Sequence, residues 1–278
     1  MNATGPSSTR LAVIAVNTFR ESVRARFFML VSLLAAALGI GAWWFRNCSL
    51  GAPPAKFLLD AGFGALTFFG AVVAIVAAAE SFSGEIERRT VLAVLARPVR
   101  RGEFVLGKLG GILVLLLAFC GAGTGLLVGL LRWQEATAGD SLAGAFAGAG
   151  RVSSLAVMAC GLVQWLRCSV LAALTLVVSS YARSSLLAVT SGFAALVVCS
   201  LRSLAWDSLR VAGPEWARDV AGLVGLMVPD FELYDVADGV AGGGALSAGY
   251  LGGIMLYSAA YVSLFVALAV FCFRHREL

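Results

Sequence analysis

The residues able to do chemistry in this sequence are few, and the first to weigh is Gly102-Glu-Phe-Val-Leu-Gly107-Lys108. Two glycines five apart and a lysine approximate a phosphate-cradling loop. Such a loop needs a serine or threonine after the lysine to bind magnesium, and it needs a strand before it and a helix after it in a soluble α/β domain. Here Leu109 follows the lysine, and the glycine-lysine pair opens a long apolar run. No apolar strand ending in an aspartate-glutamate pair occurs in the chain. The spacing therefore speaks against nucleotide binding by this loop.

Other chemistries have less support. His275 is the single histidine, and none of the cysteines (Cys48, Cys120, Cys160, Cys168, Cys199 and Cys272) forms a CxxC pair, so a metal site of His/Cys type is not expected. At least four of these cysteines lie inside apolar runs and read as small buried hydrophobes. There is no HExxH, no GxSxG and no second histidine to serve as a base. The expectation is a chain with no catalytic residues, no metal and no cofactor of its own. One residue stands apart. Arg167 is a charge well inside an apolar run, where an arginine costs about 2.5–3.5 kcal/mol on insertion scales. It either faces a dimer cavity, meeting an anionic headgroup or a carboxylate, or snorkels outward beside Gln164 and Trp165, or lies shallower because residues 145–166 sit partly in the outer interface.

The elements that must position these residues are membrane helices. The chain is 60% hydrophobic and 13% charged, with a mean hydropathy of +0.90. Apolar runs of about 20 residues, enough to cross ~30 Å of hydrocarbon, recur along it. Six spans fit, at about 27–45, 61–79, 109–131, 152–178, 185–201 and 249–273. The fold class expected is all-α, a polytopic membrane protein forming one domain over residues 1–278. Six spans put both termini on one side. Thirteen of the 21 lysines and arginines fall on that side and seven on the other, which makes the termini and the 83–108 loop cytoplasmic.

Residues 10–26 read as an interfacial helix. Leu11, Ile14, Phe19 and Val23 mark one face, and Asn17, Arg20, Glu21 and Arg24 the other. Residues 202–248 form the longest external connection, with Trp206 and Trp216 as interface anchors and Gly242-Gly243-Gly244 as a flexible joint. Gly121, Gly125 and Gly129, like Gly249 and Gly253, line one helix face and suit close packing within the chain or a dimer seam.

The stretch from Ser83 to Lys108 gathers nine charged residues between two apolar runs. Ser83 or Gly84 can cap a helix whose first turn holds Glu85 and Glu87, where the dipole favours carboxylates. Ile86, Val91, Val94 and Leu95 supply an apolar side, and Pro98 and Gly102 end the helix. A helix lying along the membrane with a charged edge toward the cytoplasm is a docking surface.

The order of residues here resembles the loop between the second and third spans of ABC transporter permeases of the type-2 exporter class. The resemblance rests on Glu85-Ile-Glu87-Arg88-Arg-Thr90, Leu92, Leu95, Arg97-Pro98-Val99, Arg101 and Leu106-Gly107-Lys108. Arg89 and Arg100 depart mildly from it, standing where a glycine and a serine are common. Asn17-Thr18-Phe19-Arg20-Glu21 and, more weakly, Ser179-Ser180 with Arg183 add to it. The resemblance implies a permease that pairs with a second, identical or related, permease chain in the bilayer. It implies cytoplasmic ATPase subunits that use ATP and magnesium, and no nucleic acid. Residues 83–100 would be the coupling helix, with Glu85, Glu87, Arg88, Thr90, Pro98, Arg101 and Lys108 as its ATPase-coupling residues. Export across a bacterial inner membrane is the implied activity. The rival readings are the same fold transmitting mechanical work without moving cargo, and a membrane scaffold without ATPase coupling.

Overall fold

The computed structural model describes residues 54–81, 101–137, 153–182, 184–212, 228–241 and 246–274, with helical positions at 15, 16, 18, 33, 34, 36–38, 40 and 41. All regular structure among the described residues is helical. Five long helices run α1 (Pro54–Ala79), α2 (Arg101–Thr137), α3 (Ser154–Tyr181), α4 (Ser185–Ala212) and α6 (Ala248–Arg274). A 3-10 turn, Glu232–Tyr234, and the short α5 (Ala237–Ala241) precede α6. In hydrocarbon every backbone N–H and C=O must bond within its own segment, so uninterrupted runs of Ala, Leu and Val become helices.

Each of the five long helices contains a stretch long and apolar enough to cross a membrane: Leu58–Ala79, Gly102–Trp133, Ser154–Tyr181, Ser185–Arg202 and Ala248–Cys272. These are the second to sixth spans read from the sequence. Of the expected first span, 27–45, only seven positions between 33 and 41 are described, all helical. The helices overrun the apolar runs. The clearest correction is at Gly102, expected to end a helix with Pro98, which instead sits in the first turn of α2. Glu103, Leu106 and Lys108 are good helix formers, Phe104 and Val105 are buried by packing, and together they extend the helix before the hydrocarbon begins.

The core is built by close approach at small residues. α1 and α3 run parallel and α2 antiparallel to both. Gly62 and Gly123 make room for Leu127 and Leu66, and Gly161 makes room for Thr124. A Cβ on Gly70 would stand 2.9 Å from the Cys168 sulfur, and one on Gly192 would stand 2.7 Å from Ile75. α3 occupies the centre, with residues of every turn buried. Its hydroxyls are satisfied locally. Ser169 and Thr175 donate to the carbonyls of Trp165 and Leu171, as Thr67 does to Phe63 on α1. Trp165 reaches across instead, its indole N–H donating to the Leu113 carbonyl of α2 at 3.0 Å.

The two ends of the bundle differ. At the end carrying Ala79 and Ala182, small apolar residues pack with Ala188, and Ser184 caps α4 by accepting the Leu187 N–H. At the other end, residues 228–241 fold onto the bundle and are held by tyrosines of α6. The Tyr257 hydroxyl accepts the Asp230 N–H at 2.9 Å, Tyr250 donates to the Leu233 carbonyl at 2.8 Å, and the Tyr234 and Ser258 hydroxyls bond at 2.7 Å. Arg202 of α4 lies 3.8 Å from Asp230.

Candidate functional site

Of the coupling residues read from the sequence, Glu85, Glu87, Arg88, Thr90 and Pro98 lie outside the described residues, as does the expected helix 83–100. Arg101 is the first residue of α2. Lys108 is only 2% exposed, with its ammonium 4.6 Å from the centroid of the Phe104 ring one turn earlier. The base of α2 is packed on several sides. A Cβ on Gly102 would touch Val270 of α6 at 3.8 Å. A Cβ on Gly111 would stand 2.7 Å from the Ala15 carbonyl and 2.8 Å from Thr18. The expected interfacial helix 10–26 is described only at residues 15, 16 and 18, and Ala15 and Thr18 sit against α2 where Gly111 leaves space.

Arg167 lies in a cleft and not against lipid. Helical side chains lean toward their helix N-terminus, so Arg167 points to the end of the bundle that residues 228–241 cover. There its guanidinium carbon stands 5.1 Å from the centroid of the buried Phe231 ring, and Asp235 supplies a nearby negative charge. A desolvated cation–π contact is worth about 2 kcal/mol. Together with a carboxylate, that is of the order of the insertion cost, so the arginine need not reach the membrane surface.

The cleft has a volume of about 310 Å³ and three walls. α1 contributes Asp60, Phe63, Gly64 and Thr67; α3 contributes Cys160, Gln164 and Arg167; the third wall is Tyr234, Asp235 and Ala237. Burial, partly offset by the Ser258 hydrogen bond, pushes the Tyr234 phenol up to about 12, so it remains a neutral hydrogen-bonding group at physiological pH. Beside Tyr234, an aromatic series continues along α6 through Tyr257, Tyr261 and Phe265, with centroids 6.3, 4.8 and 5.8 Å apart. Sequence reading found Arg167 but missed Asp60 and Tyr234 as its neighbours in the cleft. Gln164, three residues before Arg167 and on the same helix face, was the local signal. Nothing local pointed to Tyr234 and Asp235, which are more than sixty residues away in the chain.

The glycine stripe of α2 also has a definite place. Gly121, Gly125 and Gly129 are exposed, and a Cβ on any of them would meet nothing within 4 Å. Gly253 of α6 is equally open, and Gly249 meets only Ser247. The close packing within the chain uses Gly111 and Gly123 on the opposite side of α2.

Residues 12–212, more than two thirds of the chain, match the family described as ABC-2 family transporter protein. The chain belongs to this family. Two curated relatives are similar over 111 residues: a probable ABC transporter permease protein NosY from Pseudomonas aeruginosa, 33% identical, and its namesake from Stutzerimonas stutzeri, 32% identical. Each match covers 38% of this chain and 40% of the relative. As an ABC-2 protein with five described membrane-crossing helices, the chain is a multi-pass membrane subunit of an ABC transporter. The fold class read from the apolar runs and the family read from the charged loop stand.

Proposed function

We propose that this ABC-2 subunit forms one permease domain over residues 1–278. In this reading it pairs with a second permease chain and is driven by separate ATPase subunits docked on the cytoplasmic segment 83–100. The observation that carries the reading is the continuity of α2. It runs unbroken for 37 residues from Arg101, immediately after the charged segment, to Thr137. At 1.5 Å per residue that is about 55 Å, longer than the hydrocarbon is thick. Force applied at 83–100 by closing ATPases would enter α2 at Arg101 and pass along a single rigid helix into the bundle. The packed base around Gly102, Lys108 and Gly111 would carry the same force to α6 and the N-terminal helix. Glu85, Glu87, Arg88 and Thr90 would contact the ATPase, with Pro98 and Arg101 fixing the join. Lys108, being buried, would act by holding the first turns of α2. The open glycines of α2 suit the pairing surface, since small residues allow close helix contact.

In this orientation the termini are cytoplasmic in a bacterial inner membrane, residues 202–248 are external, and cargo moves outward. The Arg167 cleft then opens toward the outer half of the membrane. Thiol labelling of single cysteines from outside should reach positions 140 and 225 but not 93. The test of coupling is Glu87→Ala with Arg101→Ala. Losing a charge from a desolvated interfacial pair costs ~2–5 kcal/mol, so the double variant should lose ATPase in pull-downs and lose transport at matched expression. Wild-type values for both would overturn the reading.

A further inference from the structure

Cys120 of α2 and Cys168 of α3 are each 1% exposed, and their thiols are in hydrogen-bonding contact across the seam between the two helices. Ser169 and Thr175, close to Cys168 on α3, turn instead to carbonyls of their own helix. The Cys168 sulfur is packed from two further sides. A Cβ on Gly70 of α1 would stand 2.9 Å from it, and Gln164, one turn earlier on α3, donates to it from Nε2 at 3.8 Å. The backbones are close here as well. Thr124, one turn after Cys120, fills the space that Gly161 leaves on the same seam.

Two adjacent thiols can share a metal ion or bond to each other. No group of three or more His, Cys, Asp or Glu suited to a metal occurs among the described residues, so the pair has no further donor of that kind to build a tetrahedral shell. Bonding to each other needs no third residue. A disulfide holds its sulfurs about 2.05 Å apart, on Cα atoms about 4.4–6.8 Å apart. Thiols in contact on closely packed helices reach that geometry by side-chain rotation and a small approach of α2 to α3. Access is also provided. Gln164 lines the cleft of about 310 Å³, so Cys168 is one side chain removed from it, behind a long bond that a turn of the amide breaks.

We infer that Cys120 and Cys168 are an oxidation site, at which a small apolar two-electron oxidant of the quinone or azo class, entering by the cleft, produces a disulfide between α2 and α3. One thiol adds to the oxidant and gives up its proton to it. The second sulfur attacks the first, the S–S bond forms, and the reduced oxidant leaves as a hydroquinone or a hydrazine with both protons and both electrons. The two cysteines are 48 positions apart, so the bond closes a long loop and fixes the register of α2 against α3. This inference stands apart from ATP coupling and from the direction of transport.

The test uses the full-length chain in detergent with all its cysteines in place and any co-purifying ATPase retained. The folded protein is treated with diamide, an azo oxidant, and free thiols are blocked with N-ethylmaleimide. Peptides are then mapped by mass spectrometry with and without reduction. The expected result is a peptide pair joined through Cys120 and Cys168 in more than half of the molecules. Closing a loop of this length should raise the melting temperature of the linked protein by at least about 5 °C. Cys120→Ala should show neither the link nor the rise under the same treatment, and Cys272→Ser, near the C-terminal end of α6, should show both. The wild-type measurement decides alone if Cys120→Ala fails to fold. A link that forms only after the bundle is unfolded in dodecyl sulfate, thiols of the pair that stay free in the treated wild type, or a linked protein that melts below the reduced one would overturn the inference.

Discussion

α3 and α4 are joined by only three residues and have the same mean hydropathy, 1.7 over their best membrane windows, yet 67% of one window is buried and 17% of the other. α4 turns Leu186, Leu187, Val197, Val198 and Leu201 outward, while α3 keeps Cys160, Gly161, Gln164, Cys168, Ser169 and Thr175 in the core. In lipid a leucine gains little by leaving the surface, because the tails are as apolar as it is. What makes a helix central is therefore its content of small and weakly polar residues, which let neighbours approach and which lipid does not solvate. Hydropathy finds the spans, and residue size and polarity rank them from centre to edge.

The comparison can be broken most sharply at Gly161, whose missing Cβ leaves room for Thr124 of α2. Gly161→Leu should cost about 3 kcal/mol, near the top of the range for overpacking. This would appear as a large fall in the melting temperature of the monodisperse protein. The same change at Gly252 of α6, which is exposed and where a Cβ would meet nothing within 4 Å, should leave that temperature where it is. Next in size, Arg167→Gln should lower transport about ten-fold, ~1.4 kcal/mol, while the ATPase is still captured. Full transport would mean that the central helix carries its charge for packing alone. Trp165→Phe keeps one aromatic ring but removes the pyrrole half of the indole with its N–H bond to Leu113, so a loss of at least about 1 kcal/mol is expected in the same melting assay. At the small end, Leu186→Ala on the outer face of α4 should change stability by less than ~0.5 kcal/mol. A loss as large as that of Trp165→Phe would show that α4 is covered by a partner.

Much of this arrangement was legible beforehand, and the parts that were not have physical reasons. The second to sixth spans follow from apolar length. The family follows from the order of charges between Glu85 and Lys108, which an arginine count alone would not require. The start of α2 was misplaced because Gly102 and Pro98 together suggest a break, while the bundle continues the helix through Gly102 by packing it near Val270. The period of Gly121, Gly125 and Gly129 was visible, but not which way it faces, since that depends on where Gly111 and Gly123 turn the helix. Arg167 was conspicuous as a charge in a span. Its neighbours Tyr234 and Asp235 were hidden because they come from a segment that returns to the bundle only through contacts with α6, and no local pattern encodes that return.

The inward-turned hydroxyls of Thr67, Ser169 and Thr175 have a mechanical consequence. Because each is spent on a carbonyl of its own helix, it puts no directional bond across the seam to a neighbour. A seam lined by small side chains and self-satisfied hydroxyls offers little friction, since displacing one helix along another by a fraction of a turn breaks few bonds that must be remade. Where cross-helix bonds are made, as by Trp165 to Leu113 and Tyr234 to Ser258, they act as detents, points at which a sliding part comes to rest.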